Sequence, residues 1–158
     1  MSEDYIRILM DSLEKKISLL EKIVVLNEQQ RQYFESSSTM PDELNDNIEA
    51  KGKLVDQIVA LDEGFERVFA GVQQELSERR EEYRDEIGTM QNNIRRISEL
   101  AAKVETQEQR NRNLASSFYA GKKSKTRQVR RGTEAVNRYN QGMLRQGAIN
   151  PQFMDRKK

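Results

Sequence analysis

The residues best placed to do chemistry are acidic. Glu81, Glu82, Asp85 and Glu86 crowd into one short stretch, and two carboxylates held side by side can divide general acid and general base work between them. The same stretch supplies Arg79, Arg80 and Arg84. On a helix, spacings of three and four residues turn such charges into surface ion pairs, so the stretch reads as a solvated face rather than a catalytic pair. Other routes to catalysis are closed by composition. The chain has no His and no Cys, which excludes a zinc finger, a disulfide framework, a Cys-His or Ser-His nucleophile pair and haem of ordinary ligation. Gly52, Gly64, Gly71 and Gly88 fall inside helical periodicity and form no phosphate-cradling loop. The expectation is a protein that is not an enzyme, with no catalytic residues, no metal and no cofactor.

A second kind of chemistry lies at the C-terminal end. Lys122, Lys123, Lys125, Arg127, Arg130 and Arg131 could neutralise phosphates, whether of nucleic acid or of an anionic membrane. Aromatic partners for base stacking are few, with Phe118, Tyr119 and Tyr139 the candidates. The same segment carries Val129, Val136, Tyr139 and Met143, spaced 7, 3 and 4. If the segment became helical, these would align as a narrow apolar stripe that grips a partner helix.

Charge divides the 158 residues into two parts. Residues 1–120 hold 16 Lys+Arg against 24 Asp+Glu, net −8, whereas residues 121–158 hold 11 against 2, net +9, in agreement with the overall +1. The basic part also has four of the eight Gly and one of the two Pro. Its apolar residues are too scattered to offset the entropy of ordering it alone. The expected organisation is an acidic helical body over 1–120 and a basic, largely disordered tail over 121–158 that becomes helical on binding.

The body must be thin, because only 35% of residues are hydrophobic and 34% are charged. Its period is helical throughout. Ile6, Met10, Leu13, Ile17, Leu20 and Val24 alternate at 4 and 3, drawing one stripe that Leu9, Ile23 and Leu26 widen, as befits a helix with two neighbours. Ser36 to Ser38 and Pro41 end that segment. Leu44, Ile48, Val55, Ile58, Leu61, Phe65, Phe69, Val72 and Leu76 define a second helix; Ile87, Met90, Ile94, Ile97, Ala101, Val104, Leu114 and Phe118 define a third. Predicted helices cover about 3–36, 41–76 and 78–119, with a break near Ser77 as an N-cap; the alternative is that the second and third run on as one rod of about 75 residues. The fold class is all-α: an elongated antiparallel helical hairpin or three-helix bundle, coiled-coil-like, with a basic tail. An exposed stripe on a two-helix hairpin would demand a neighbour, so a homodimer is one expected form.

The start of the chain is acidic and runs into no long apolar stretch, and the longest aliphatic run is Ile23 to Leu26. Neither a secretory signal nor a membrane span is expected, and a cytoplasmic protein is.

Several short elements also carry a resemblance. Leu9, Leu13, Leu19, Leu20 and Glu21 lie in a leucine-rich first helix; Lys51, Leu54 and Val55 form a Lys-x-x-Leu-Val element; Asn111 and Leu114 form Asn-x-x-Leu, followed by Tyr119-Ala120-Gly121. Together they resemble the flagellar type III export chaperones of the FlgN type, with FliT-type chaperones as cousins. The family's usual pair of asparagines is here Asn111 alone, with Gln107 and Glu108 where an earlier one would fall. The resemblance implies a chaperone of bacterial flagellum biogenesis that binds hook-associated proteins, prevents their premature assembly and delivers them to the type III export gate. It implies substrate-protein contacts at Leu114, Phe118, Val129, Val136, Tyr139 and Met143, and export-gate docking through Tyr119. A FliT-like chaperone for the filament cap is a neighbouring reading. The competing class is a coiled-coil structural or regulatory module whose tail binds nucleic acid or acidic membrane.

Overall fold

The structure is a computed structural model that describes residues 2–36 and 41–120, apart from the side chains of Ser2, Pro41 and Tyr119. Three helices account for nearly all of it: α1, Ser2–Glu35; α2, Pro41–Glu78; α3, Arg84–Ala120. At 1.5 Å per residue each spans roughly 50–57 Å. The all-α three-helix bundle expected from the apolar period is therefore present.

Each helix begins with a chemical reason to begin there. Pro41 occupies the first position of α2, where its missing N–H loses nothing and its fixed φ suits a helix. Acidic pairs follow in each first turn: Glu3 and Asp4, Asp42 and Glu43, Asp85 and Glu86. Carboxylates there face the positive end of the helix dipole.

The break between α2 and α3 lies further along than the sequence suggests. Ser77 caps nothing and sits inside α2, which runs on to Glu78. The reversal is made by residues 79–83, wound tightly enough that Tyr83 N–H donates to Arg79 O at 3.2 Å and Ile87 N–H to Tyr83 O at 2.8 Å. Tyr83 decides the position. Its ring is buried in the core as the last residue of the reversal, directly ahead of α3, so the turn falls within the charged run and not before it.

Antiparallel and parallel pairings follow from the contacts. Lys16 meets Asp62 and Asn27 meets Lys51, so α2 runs against α1; Asn27 meets Gln107 and Phe34 meets Phe118, so α3 runs with α1. Close backbone approach occurs between α1 and each of the others, and α2 and α3 meet through long side chains. The stripe on α1 is wide for this reason: it serves two neighbours.

A continuous apolar core extends from Ile6, Leu76 and Tyr83 at the turn end to Ile23, Val55 and Val104. Its members on α1 show where sequence periodicity misjudged the centre of the stripe. Ile6, Leu9, Leu13, Leu20 and Ile23 are buried, while Met10, Ile17 and Val24 are only half-buried. The buried line is 6, 9, 13, 16, 20, 23, 27, 30, and Lys16, Asn27 and Gln30 stand on it. Among the described residues no helix is long and apolar enough to cross a membrane.

Candidate functional site

Beyond Ile23 and Val104 the bundle interior turns polar. The same heptad-like positions that carry Leu and Ile nearer the turn end carry Asn27 and Gln30 on α1, Asn47 and Lys51 on α2, and Gln107, Glu108 and Asn111 on α3, all buried. Lys51 and Glu108 are each 1% exposed. The Lys51 Nζ donates to Glu108 Oε1 at 2.5 Å and to Asn27 Oδ1 at 3.2 Å, and Asn27 Nδ2 donates to Gln107 Oε1 at 3.3 Å. One charged pair thus ties α2 to α3 with an α1 amide between them.

The layer also grips the backbone of α1. Gln107 Nε2 donates to Val24 O at 3.2 Å, Asn47 Nδ2 to Leu26 O at 3.0 Å and Asn111 Nδ2 to Asn27 O at 2.8 Å. Carboxamides from both neighbours therefore reach carbonyls along one stretch of α1. Together with the side-chain pairs, these contacts favour one axial register, since slipping one helix by a turn would separate Lys51 from Glu108 and Asn27 from Gln107. At the rim, Glu28 accepts from Arg110 at 3.0 Å and from Gln107 at 3.2 Å. The Arg110 hydrogen bond holds the Glu28 carboxyl below its usual value.

Satisfaction is incomplete. Glu108 Oε2, Asn47 Oδ1 and Arg112 Nε are buried without a hydrogen-bond partner, and a half-satisfied polar layer is weaker than an apolar one of the same volume. Burial also lowers the Lys51 pKa against the opposing pull of Glu108. A second buried lysine, Lys16, lies inside the apolar stretch and pairs with Asp62 at 2.6 Å. Burial takes its pKa from 10.5 to about 8, with the Asp62 charge and hydrogen bond opposing the fall.

Past the layer lies the end from which residues 121–158 depart. Leu44 is buried there but is not part of the continuous core. The Phe34 and Phe118 rings meet at 6.0 Å with an interplanar angle of 58°, a tilted geometry favoured by the ring quadrupoles. Leu114 sits one turn before Phe118, also half-buried. Of the residues expected to bind a substrate protein, Leu114 and Phe118 are thus brought together on one face of α3, with Phe118 engaged by α1. Tyr119 stands in the last turn of α3; its side chain, and Val129, Val136, Tyr139 and Met143 entirely, lie outside the described residues.

Charge is unevenly spread over the body. Of its net −8, α2 alone has ten Asp/Glu against three Lys/Arg, net −7. Asp42, Glu43, Asp46 and Glu49 are exposed in its first turns, at the end where α3 stops. The carboxylates near residue 80 behave as a solvated face: Arg79 pairs with Glu75 at 3.3 Å and Glu82 at 3.8 Å, with Arg79 and Glu82 exposed. Among the described residues no group of three acidic side chains is placed to hold a metal ion.

The sequence reading missed the polar layer because it counted only apolar residues. Its signal was present: continuing the 3 and 4 spacing through Ile6, Leu9, Leu13, Leu20 and Ile23 lands on Asn27 and Gln30, and the same continuation lands on Lys51 and Asn47 in α2. Lys51 and Asn111, which carry the family resemblance, and Gln107 and Glu108, where the chain departs from the family's pattern, all belong to this interior. Comparison of the chain with protein-family models, with curated proteins and with solved structures finds no match.

Proposed function

We propose that this protein is a cytoplasmic export chaperone for flagellar hook-associated proteins, holding the hook-filament junction subunits until they reach the type III export gate. The reading rests on the resemblance of its helical elements to FlgN-type chaperones. The observation that supports it best is the placing of Leu114 and Phe118 on one face at the end of α3, ahead of residues 121–158, whose net charge is +9 and whose Val129, Val136, Tyr139 and Met143 would align as an apolar stripe in a helix. A subunit's sticky terminal helices need a cover that lets go without breaking covalent bonds. A segment that orders only on binding loses entropy as it does so, which keeps affinity moderate for the area covered. Charge steers the encounter and the apolar residues supply the grip. In this role Tyr119 docks on the export gate and no bond is made or broken by the protein.

Isothermal titration of the full chain, and of the chain truncated after Ala120, with a junction subunit at low and high salt tests the proposal. One-to-one binding that requires residues 121–158 and persists at high salt is the expected result; absence of binding to any junction or cap subunit overturns it. The charge of residues 121–158 favours one second reading, a coiled-coil module that binds nucleic acid or acidic membrane. Phosphate binding would fall steeply with salt, whereas an apolar helix contact would not.

A further inference from the structure

We infer that the polar layer divides the bundle into two cooperative units and that the unit beyond it, built from residues 27–35, 41–51 and 107–120, opens as one body while the apolar core stays closed. Three observations converge on this. First, the continuous apolar cluster stops at Ile23, Val55 and Val104, and Leu44, although buried, is not part of it. The driving force for burial is therefore interrupted along all three helices at one level. Second, the interruption holds a Lys51–Glu108 pair from which water is excluded on both sides, together with unpartnered atoms on Glu108, Asn47 and Arg112, against one such atom, Asn93 Nδ2, beside the apolar core. Opening returns those groups to water and recovers their desolvation penalty, which offsets part of the lost packing. Third, α2 and α3 do not approach closely through their backbones, so across that seam the layer depends on side chains that water can replace. Low local stability of a contiguous unit is the general condition for opening below the global transition.

The device is independent of what the protein binds. On the chaperone reading it gains a use, because opening releases Phe118 from Phe34 and bares the inner side of α3 to an incoming helix.

Native-state hydrogen exchange on the full chain across a low-denaturant series tests it. Amides of 27–35, 41–51 and 107–120 should share one opening free energy and one denaturant slope, with protection at least about tenfold below that of 9–24, 55–72 and 90–104. The opposite end of the bundle, around Tyr83 and Ile87, should follow the core. In a Lys51→Met, Glu108→Leu double variant the step at the layer should disappear as the far amides rise to the core value. Protection that fades turn by turn from each helix end with no shared value overturns the inference. So does a far end that exchanges only with global unfolding, or a step that survives the double substitution. If the double variant does not fold, the wild-type profile decides alone. Failure of every flagellar subunit to bind would remove the chaperone reading and leave this result standing.

Discussion

The bundle's two ends are made by the same three helices at the same heptad-like positions, yet they are filled differently. At the turn end Ile6, Leu76, Tyr83 and Ile87 close an apolar interior over a tight reversal. At the other end Asn27, Lys51, Glu108 and Asn111 take those positions, and an aromatic contact between Phe34 and Phe118 lies beyond them. Apolar filling is strong and indifferent to register, because one aliphatic side chain packs against another at many offsets. The polar layer inverts both properties. It adds little to stability and much to register, since its side chains pair at matched heights on neighbouring helices.

Replacing core residues at each end should break this comparison most directly. Leu20→Ala, in the continuous core, should lower global stability by about 2–5 kcal/mol, read by denaturant unfolding. Leu44→Ala should lower it by less, because its loss is capped at the free energy needed to open the far unit. Equal losses would make the two ends one unit. Removing a single member of the buried pair comes next. Glu108→Leu strands the Lys51 ammonium and should cost up to about 3 kcal/mol at neutral pH, on the scale of broken buried pairs and under the same cap. The loss should shrink at alkaline pH, where Lys51 can shed its proton; a loss that does not change with pH would show that Lys51 is already neutral or rehydrated.

The buried lysine inside the apolar half, paired with Asp62, sharpens the contrast. Lys16 has a pKa of about 8 in the fold and 10.5 as its ordinary value. Between those values the unfolded chain binds more protons than the folded one, so stability rises with pH across that window. The largest slope one such group can give is about 1.4 kcal/mol per pH unit. Unfolding at pH 7.5 and 9.5 should therefore show a more stable protein at the higher pH, and Lys16→Met should remove part of that rise; an unchanged rise in the variant would acquit Lys16.

The smallest effects come from helix glycines. A Cβ added at Gly52 or Gly71 would meet nothing within 4 Å, so each Gly→Ala change should stabilise by about 0.5–1 kcal/mol. Both glycines lie on the core side of residue 51, so each change should raise global stability and leave the protection of 27–35, 41–51 and 107–120 unchanged. A gain confined to those far amides would count against a boundary at the layer.

Much of the fold was legible before any coordinates. The apolar 3 and 4 spacings of Ile6 to Val24, Leu44 to Leu76 and Ile87 to Val104 name three helices, and Pro41 marks the one start that chemistry makes obligatory. The α2 end was misplaced because Ser77 looks like a cap in isolation, whereas the burial of Tyr83 is a tertiary fact. Of the residues expected to bind a partner, Leu114 and Phe118 could be found by period, but the Phe34 ring that Phe118 meets could not. Phe34 is 84 positions away, and only the parallel pairing of α1 with α3 brings the two together.

The sequence by itself determined the helical class and the division of charge between residues 1–120 and 121–158. These depend on local periodicity and on composition, which no tertiary contact can alter. Only the tertiary structure decided which polar residues lie inside. Burial of Lys51 and Glu108 is a property of three helices meeting at one height: a lysine on a heptad-like position looks the same in sequence whether water or a carboxylate faces it, and the free energy that separates the two cases exists only once the neighbours are in place.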